Sequence, residues 1–138
     1  MGLFNLFKRK KKKEELPIEA LKWNKMWDLW SNEKADSPYA ELMTYLSEVN
    51  NGGHMQFFDN VSSVSNLSGT VSELYTILPI VLKESLEKGY DTHLKYEAGE
   101  GITEEIYAEI MDACDDKYYA NETEIEHILK EYAATMTL

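Results

Sequence analysis

Apolar residues recur at helical spacing along most of the chain, and the pattern predicts an all-α fold with no sheet. A first helix is expected to open at Pro17 and run to about Lys34. Its Trp23, Trp27 and Trp30 form one stripe with Ala20 and Met26, a pattern that usually belongs to a core; an exposed stripe would mark a partner surface. Ser37 as N-cap and Pro38 at the first helical position predict a second helix, on which Tyr39, Leu42, Met43, Leu46 and Val49 keep the spacing. Asn51, Gly52 and Gly53 should stop that helix, with the Gln56 amide bonding backbone in the turn and Phe57 and Phe58 pinning it to the core.

Residues 61–69 read as a loop with one short turn. Thr70 and Glu73 have capping-box spacing, which predicts a helix with Leu74, Ile77, Leu78, Val81, Leu82 and Leu86 on its apolar face. Gly89 should close it and Pro79 should kink or split it, and its broad apolar face makes it the expected central helix. No conformation is assigned to residues 90–101. Thr103 should start a further helix that buries Ile106, Tyr107, Ile110, Ala113 and Cys114. Asn121 to Glu124 has the spacing of another capping box, starting a last helix that buries Ile125, Ile128, Leu129 and Tyr132. The expectation is one helical domain of five to seven helices over residues 15–138, preceded by a basic, disordered tail over residues 1–14.

Charge divides the chain sharply. Its 138 residues carry a formal charge of −11, yet six of the fourteen basic residues lie between Lys8 and Lys13. From residue 14 onward eight basic residues face twenty-five acidic ones, a balance of −17. Such a body repels nucleic acid and anionic lipid and favours a basic partner by long-range attraction, although the same composition also serves simple solubility. In the tail, Leu3, Phe4, Leu6 and Phe7 precede the basic run. That pattern fits weak contact of residues 1–13 with an anionic membrane surface, but a solubilising tail is the preferred reading. Cys114 is the one cysteine, so no internal disulfide forms, and no apolar run approaches the roughly 20 residues of a membrane span. A cytoplasmic protein is expected, with a peripheral membrane contact as the only departure.

Candidate chemistry is sparse. The histidines at 54, 93 and 127 are scattered, and no phosphate-binding glycine loop or nucleophile elbow occurs, so no catalytic residues and no cofactor are expected. Glu124 and His127 have the i, i+3 spacing of a helical di-iron site, but that chemistry needs two copies of the pair; no metal is expected. The informative pattern is electrostatic. On a helical wheel Glu104, Glu105, Glu109, Asp112, Asp115 and Asp116 fall within an arc of about 140°, opposite the apolar side, and Glu122 and Glu126 extend the acidic side. Twelve steps of ~1.5 Å carry these first six charges over roughly 18 Å, or about one per 3.6 Å. One DNA strand presents a charge every ~3.4 Å and a duplex one per ~1.7 Å, so one such helix approximates one strand. A duplex-like pattern needs a second row, from Glu122 and Glu126, from the segment between Glu97 and Glu100, or from a second subunit in a homodimer.

Two segments carry a family resemblance. Asn50, Asn51, Gly52, Gly53, Gln56, Phe57, Phe58 and Asn60 resemble the Asn-Gly-Gly, Gln-Phe-Phe and Asn signature of the DNA-mimic protein family, long catalogued as a domain of unknown function. Asp115 to Tyr119, followed by Ile125 to Tyr132, is similar to that family's acidic-plus-tyrosine segment and closing helix, so that the resemblance spans residues 20 to 133 or so. His54 and Met55 stand where the family often has an aromatic residue and a histidine. The resemblance implies a non-enzymatic binding protein whose acidic surface imitates DNA phosphates and engages a basic, DNA-binding protein rather than nucleic acid itself. The alternatives are an immunity-type protein that neutralises a basic toxin, and an enzyme with a site at the Asn-Gly-Gly turn and Gln56.

Overall fold

The computed structural model describes residues 16–64 and 66–138, so the expectations for the basic tail, including membrane contact, lie outside the described residues. Five helices make up the described chain, with no strand among them: α1 (Ile18–Ser31), α2 (Tyr39–Val64), α3 (Leu67–Tyr75), α4 (Ile80–Glu97) and α5 (Glu104–Ala134). None is long and apolar enough to cross a membrane.

Helix α1 starts at Pro17, as its fixed backbone angle favours, and closes through Glu33 in the left-handed conformation, with the Lys34 N–H returning to the Leu29 carbonyl at 2.7 Å. Its buried residue is Met26, whereas Trp23, Trp27 and Trp30 are only half-buried at the edge of the core. The tryptophans stack edge to face along the helix, with ring centroids 6.2 and 5.2 Å apart, and Trp30 Nε1 donates to Thr44 Oγ1 of α2 at 3.0 Å. A single helix laid on the rim of a bundle buries a narrow line, and the slim Met26 occupies it while the wider indoles flank it.

Helix α2 does not end at the glycines. It breaks at Gly52 and Gly53 and resumes at once, so the expected loop beginning at Val61 is helix as far as Val64. Helix α3 then starts three residues before the expected capping box, because Asn66 caps it: its Oδ1 accepts from the Gly69 N–H at 3.1 Å. Substituting Asn66 by Ala is expected to cost about 1 kcal/mol in urea denaturation, while Thr70→Ala should be near neutral. Pro79 splits the next apolar run as expected and serves as N-cap of α4.

Gly89 does not close α4. It lies buried inside the helix, where an added Cβ would stand 3.1 Å from Cys114 Sγ and 3.4 Å from the Phe58 ring, and α4 continues through most of the unassigned segment to Glu97. The glycine is there for the close approach of α5 and α2, not for a turn.

Thr103 caps α5 through Oγ1, as its spacing predicts, but the two expected C-terminal helices are one. Asn121 starts nothing; its amide donates to the Lys117 carbonyl one turn earlier in the same helix at 2.8 Å. Tyr107, Met111, Cys114, Tyr118, Ile125, Leu129, Tyr132 and Ala133 form a continuous buried line, while Ile106 and Ala113 are exposed. Helix α5, at ~1.5 Å per residue about 46 Å long, packs against α1, α2 and α4 and is the central helix in place of the Thr70 to Lys88 segment.

Candidate functional site

The two segments that carry the family resemblance meet in space. Gly53 has φ 76° and ψ −172°, a backbone region essentially closed to residues with a Cβ, and this conformation turns the chain so that α2 can restart. A Cβ on Gly53 would lie 2.6 Å from Asp115 Oδ2 of α5. Asp115 Oδ1 accepts from the His54 backbone N–H at 2.8 Å and from His54 Nδ1 at 2.7 Å, so one carboxylate receives the first donor of the resumed helix and orients its imidazole. His54 is fully buried, and its Nε2 meets Tyr45 Oη at 2.6 Å. A carboxylate only accepts, so Nδ1 donates to Asp115, and burial pushes the Tyr45 hydroxyl well above its ordinary pKa, so that Tyr45 keeps its proton beside Nε2.

Further groups from α5 complete the junction. The Tyr118 ring packs edge-on against Tyr45, and Tyr119 Oη donates to the Val49 carbonyl at 3.3 Å, in the last turn before the break. On the outer side Glu48 Oε2 accepts from Gln56 Nε2 at 2.9 Å and from Asn60 Nδ2 at 2.8 Å, so Gln56 spans the kink by a side-chain bond to Glu48 instead of the expected bonds to turn backbone. Phe57 and Phe58 are fully buried, as expected of anchors, and Asn50 and Asn51 are exposed.

Asp115 therefore leaves the free acidic face. Burial raises its pKa, but hydrogen bonds from the His54 side chain and backbone outweigh this and hold the carboxyl below its ordinary value. Because the folded value is the lower one, the bonds contribute fully above the unfolded-state pKa of about 3.9 and their contribution is lost as pH falls through the folded value. The stability gap between the natural protein and Asp115→Asn, followed by urea denaturation, is expected to be flat at neutral pH and to narrow below about pH 4. A gap that does not change with pH would show that the charge of Asp115 contributes nothing.

Five of the remaining expected acids, Glu104, Glu105, Glu109, Asp112 and Asp116, are exposed along the first half of α5, and among the described residues none of them is in an ion pair. Glu122 and Glu126 are half-buried beside the core line, Glu122 near Tyr118 Oη at 3.4 Å. Standing on the same helix as the first row, they do not form a second row parallel to it. The second half of the exposed face carries Thr123, His127 and Lys130, with His127 paired to Glu131 at 3.2 Å. Neighbouring α4 exposes Glu84, Glu87 and Asp91 interleaved with Lys88 and Lys95, of which Asp91 and Lys95 pair at 3.0 Å. The acidic feature is thus one row of five charges on a straight support, bounded by surfaces of mixed sign.

Cys114 is buried, its thiol pushed to a higher pKa by burial, and it donates to the Ser85 carbonyl at 3.4 Å; it serves packing.

A broken helix clamped onto one long, partly acidic helix defines a class of small all-α domain, and its clamp joins the two segments that carry the resemblance. The chain belongs to the family described as DMP19-like protein, which matches residues 33–136, from the end of α1 through all of α5. Comparison with curated proteins and with solved structures found no match.

Proposed function

We propose that the protein is a non-enzymatic binding protein that engages a basic, nucleic-acid-binding protein through Glu104, Glu105, Glu109, Asp112 and Asp116, the acids standing in for the phosphates of one DNA strand. The support is the row itself: exposed carboxylates without ion-pair partners among the described residues, carried by a helix that is anchored on three neighbours and so keeps their spacing fixed. Rigid spacing matters, because a partner evolved for phosphates gains most from charges already in place. Asp115 is not part of the contact; it holds the row in position by tying α5 to the kink of α2. A duplex-like pattern takes its second row from the exposed Glu97 to Glu100 segment or from a second copy of the chain. The DNA-mimic resemblance of the kink and of the Asp115 to Tyr119 segment agrees with this function and with a place in the cytoplasm beside DNA-binding proteins.

The test is affinity capture from a fraction of heparin-binding proteins at low and at high salt, with the natural protein and with the reversals Glu104→Lys, Glu109→Lys, Asp112→Lys and Asp116→Lys. Recovery of a basic nucleic-acid-binding protein that is lost with salt and with the reversals supports the proposal. Partners that remain bound to the reversed protein overturn it.

A further inference from the structure

A second cluster lies away from the acidic row. His93 and Glu97 stand one turn apart on α4, and Asp59 faces them from the resumed half of α2. One ring nitrogen and one oxygen from each carboxylate all lie within 4.8 Å of one another. They open on a groove of about 620 Å³ that Ser62 and Asn66 also line.

His93 is held as a metal-ligating histidine needs to be. The residue is 4% exposed, its ring stacks on Phe58 with centroids 5.0 Å apart, and its Nδ1 meets Tyr107 Oη at 2.9 Å. Nε2 has no hydrogen bond among the described residues, and because no buried side-chain nitrogen there lacks a partner, Nε2 reaches the solvent. One nitrogen is thus fixed from behind by a hydroxyl while the other is open, the arrangement that sets the ring orientation of a ligating imidazole. Asp59 and Glu97 are exposed and make no hydrogen bond or ion pair among the described residues, so both can swing inward to the ~2.0–2.2 Å of a metal–oxygen bond.

We propose that Asp59, His93 and Glu97 form a binding site for a divalent transition-metal ion of the zinc type, which ligates His93 through Nε2 and ties the second half of α2 to α4. An imidazole with two carboxylates selects such an ion over magnesium or calcium, which prefer oxygen alone, and three protein ligands leave positions for water. The site uses none of the five acids of the row on α5 and shares only Glu97 with the segment that could supply a second row.

Zinc binding measured by calorimetry in millimolar magnesium, with the visible absorption of bound cobalt(II) as a second readout, tests it on the full chain. One zinc per chain is expected, with a higher melting temperature. Asp59→Asn and Glu97→Gln, both at exposed positions, should each weaken zinc at least tenfold. Tyr107→Phe should weaken it about tenfold by releasing the imidazole, and His127→Ala should leave it unchanged. Absence of zinc binding, or zinc binding that the Asp59→Asn/Glu97→Gln double variant retains at full strength, overturns the proposal.

Discussion

Gly53→Ala is expected to lower the free energy of unfolding by on the order of 3 kcal/mol, a substantial part of what holds a domain of this size together. Two costs combine. The backbone at φ 76°, ψ −172° has to strain or move once a Cβ is present. The same Cβ displaces the Asp115 carboxylate, 2.6 Å away, from two bonds to His54, a residue with no access to water in exchange. Gly52→Ala should also destabilise, without the positive-φ strain: the new methyl meets the end of the Gln56 side chain, which can rotate away only at the expense of its bond to Glu48, and stands 2.9 Å from Gln56 Cβ, which cannot rotate away. Urea denaturation of Gly53→Ala, Asp115→Ala and the double variant measures the link. The double variant should be less destabilised than the sum of the singles, since each single already breaks the same bonds. Full additivity would mean that the kink and α5 are held by something other than this contact.

Reversing Glu104, Glu109, Asp112 and Asp116 to lysine should weaken the proposed partner by about a hundredfold or more, since each change removes an attraction and sets like charges face to face. The fold should survive. All four side chains are exposed, and only Glu104, in the first turn of α5, assists the helix itself, by about 0.3–1 kcal/mol. Circular dichroism and denaturation of the reversed protein separate lost binding from lost structure. The same four changes to glutamine should give a smaller loss, and added salt should narrow the difference between glutamine and natural protein, as screening of exposed charges requires.

Much of the architecture is legible along the sequence because it is local. Pro17, Pro79 and Thr103 act through their own backbone or the next turn, and each does in the structure what its position predicts. The misplaced boundaries share another cause. Gly89 has the look of a helix end, but what requires a glycine there is the sulfur of Cys114 and the ring of Phe58 approaching from other helices. Asn121 and Glu124 have the spacing of a cap, yet the burial of Tyr118, Ile125 and Leu129 along one unbroken line outweighs that local preference. Asn66, which does cap a helix, sits in a Ser- and Asn-rich stretch where several residues offer the same chemistry.

The candidate site divides in the same way. The exposed acids follow from helical periodicity alone, and the wheel sets Asp115, Glu122 and Glu126 towards the apolar edge it shares with Glu104; those three are half-buried, whereas Glu104, in the first turn, is exposed. The bond between His54 and Asp115 joins residues 61 positions apart, which a single sequence does not pair. Along the sequence the kink therefore reads as a turn on its own, whereas in the fold it is one half of a clamp. The Asp59, His93 and Glu97 cluster is not legible for a related reason: the His93–Glu97 spacing has meaning only on a helix, and Gly89 reads along the sequence as the end of that helix.

The most direct measurement is competition by duplex DNA for the partner captured through the acidic row, read as the fraction of partner displaced from immobilised protein. If the acids stand in for phosphates, the partner cannot hold both, and duplex DNA should release it fully at concentrations near its own affinity for the partner, with the reversed protein capturing none at the outset. A partner that binds DNA and this protein at the same time, or that the reversed protein retains, would contradict the account.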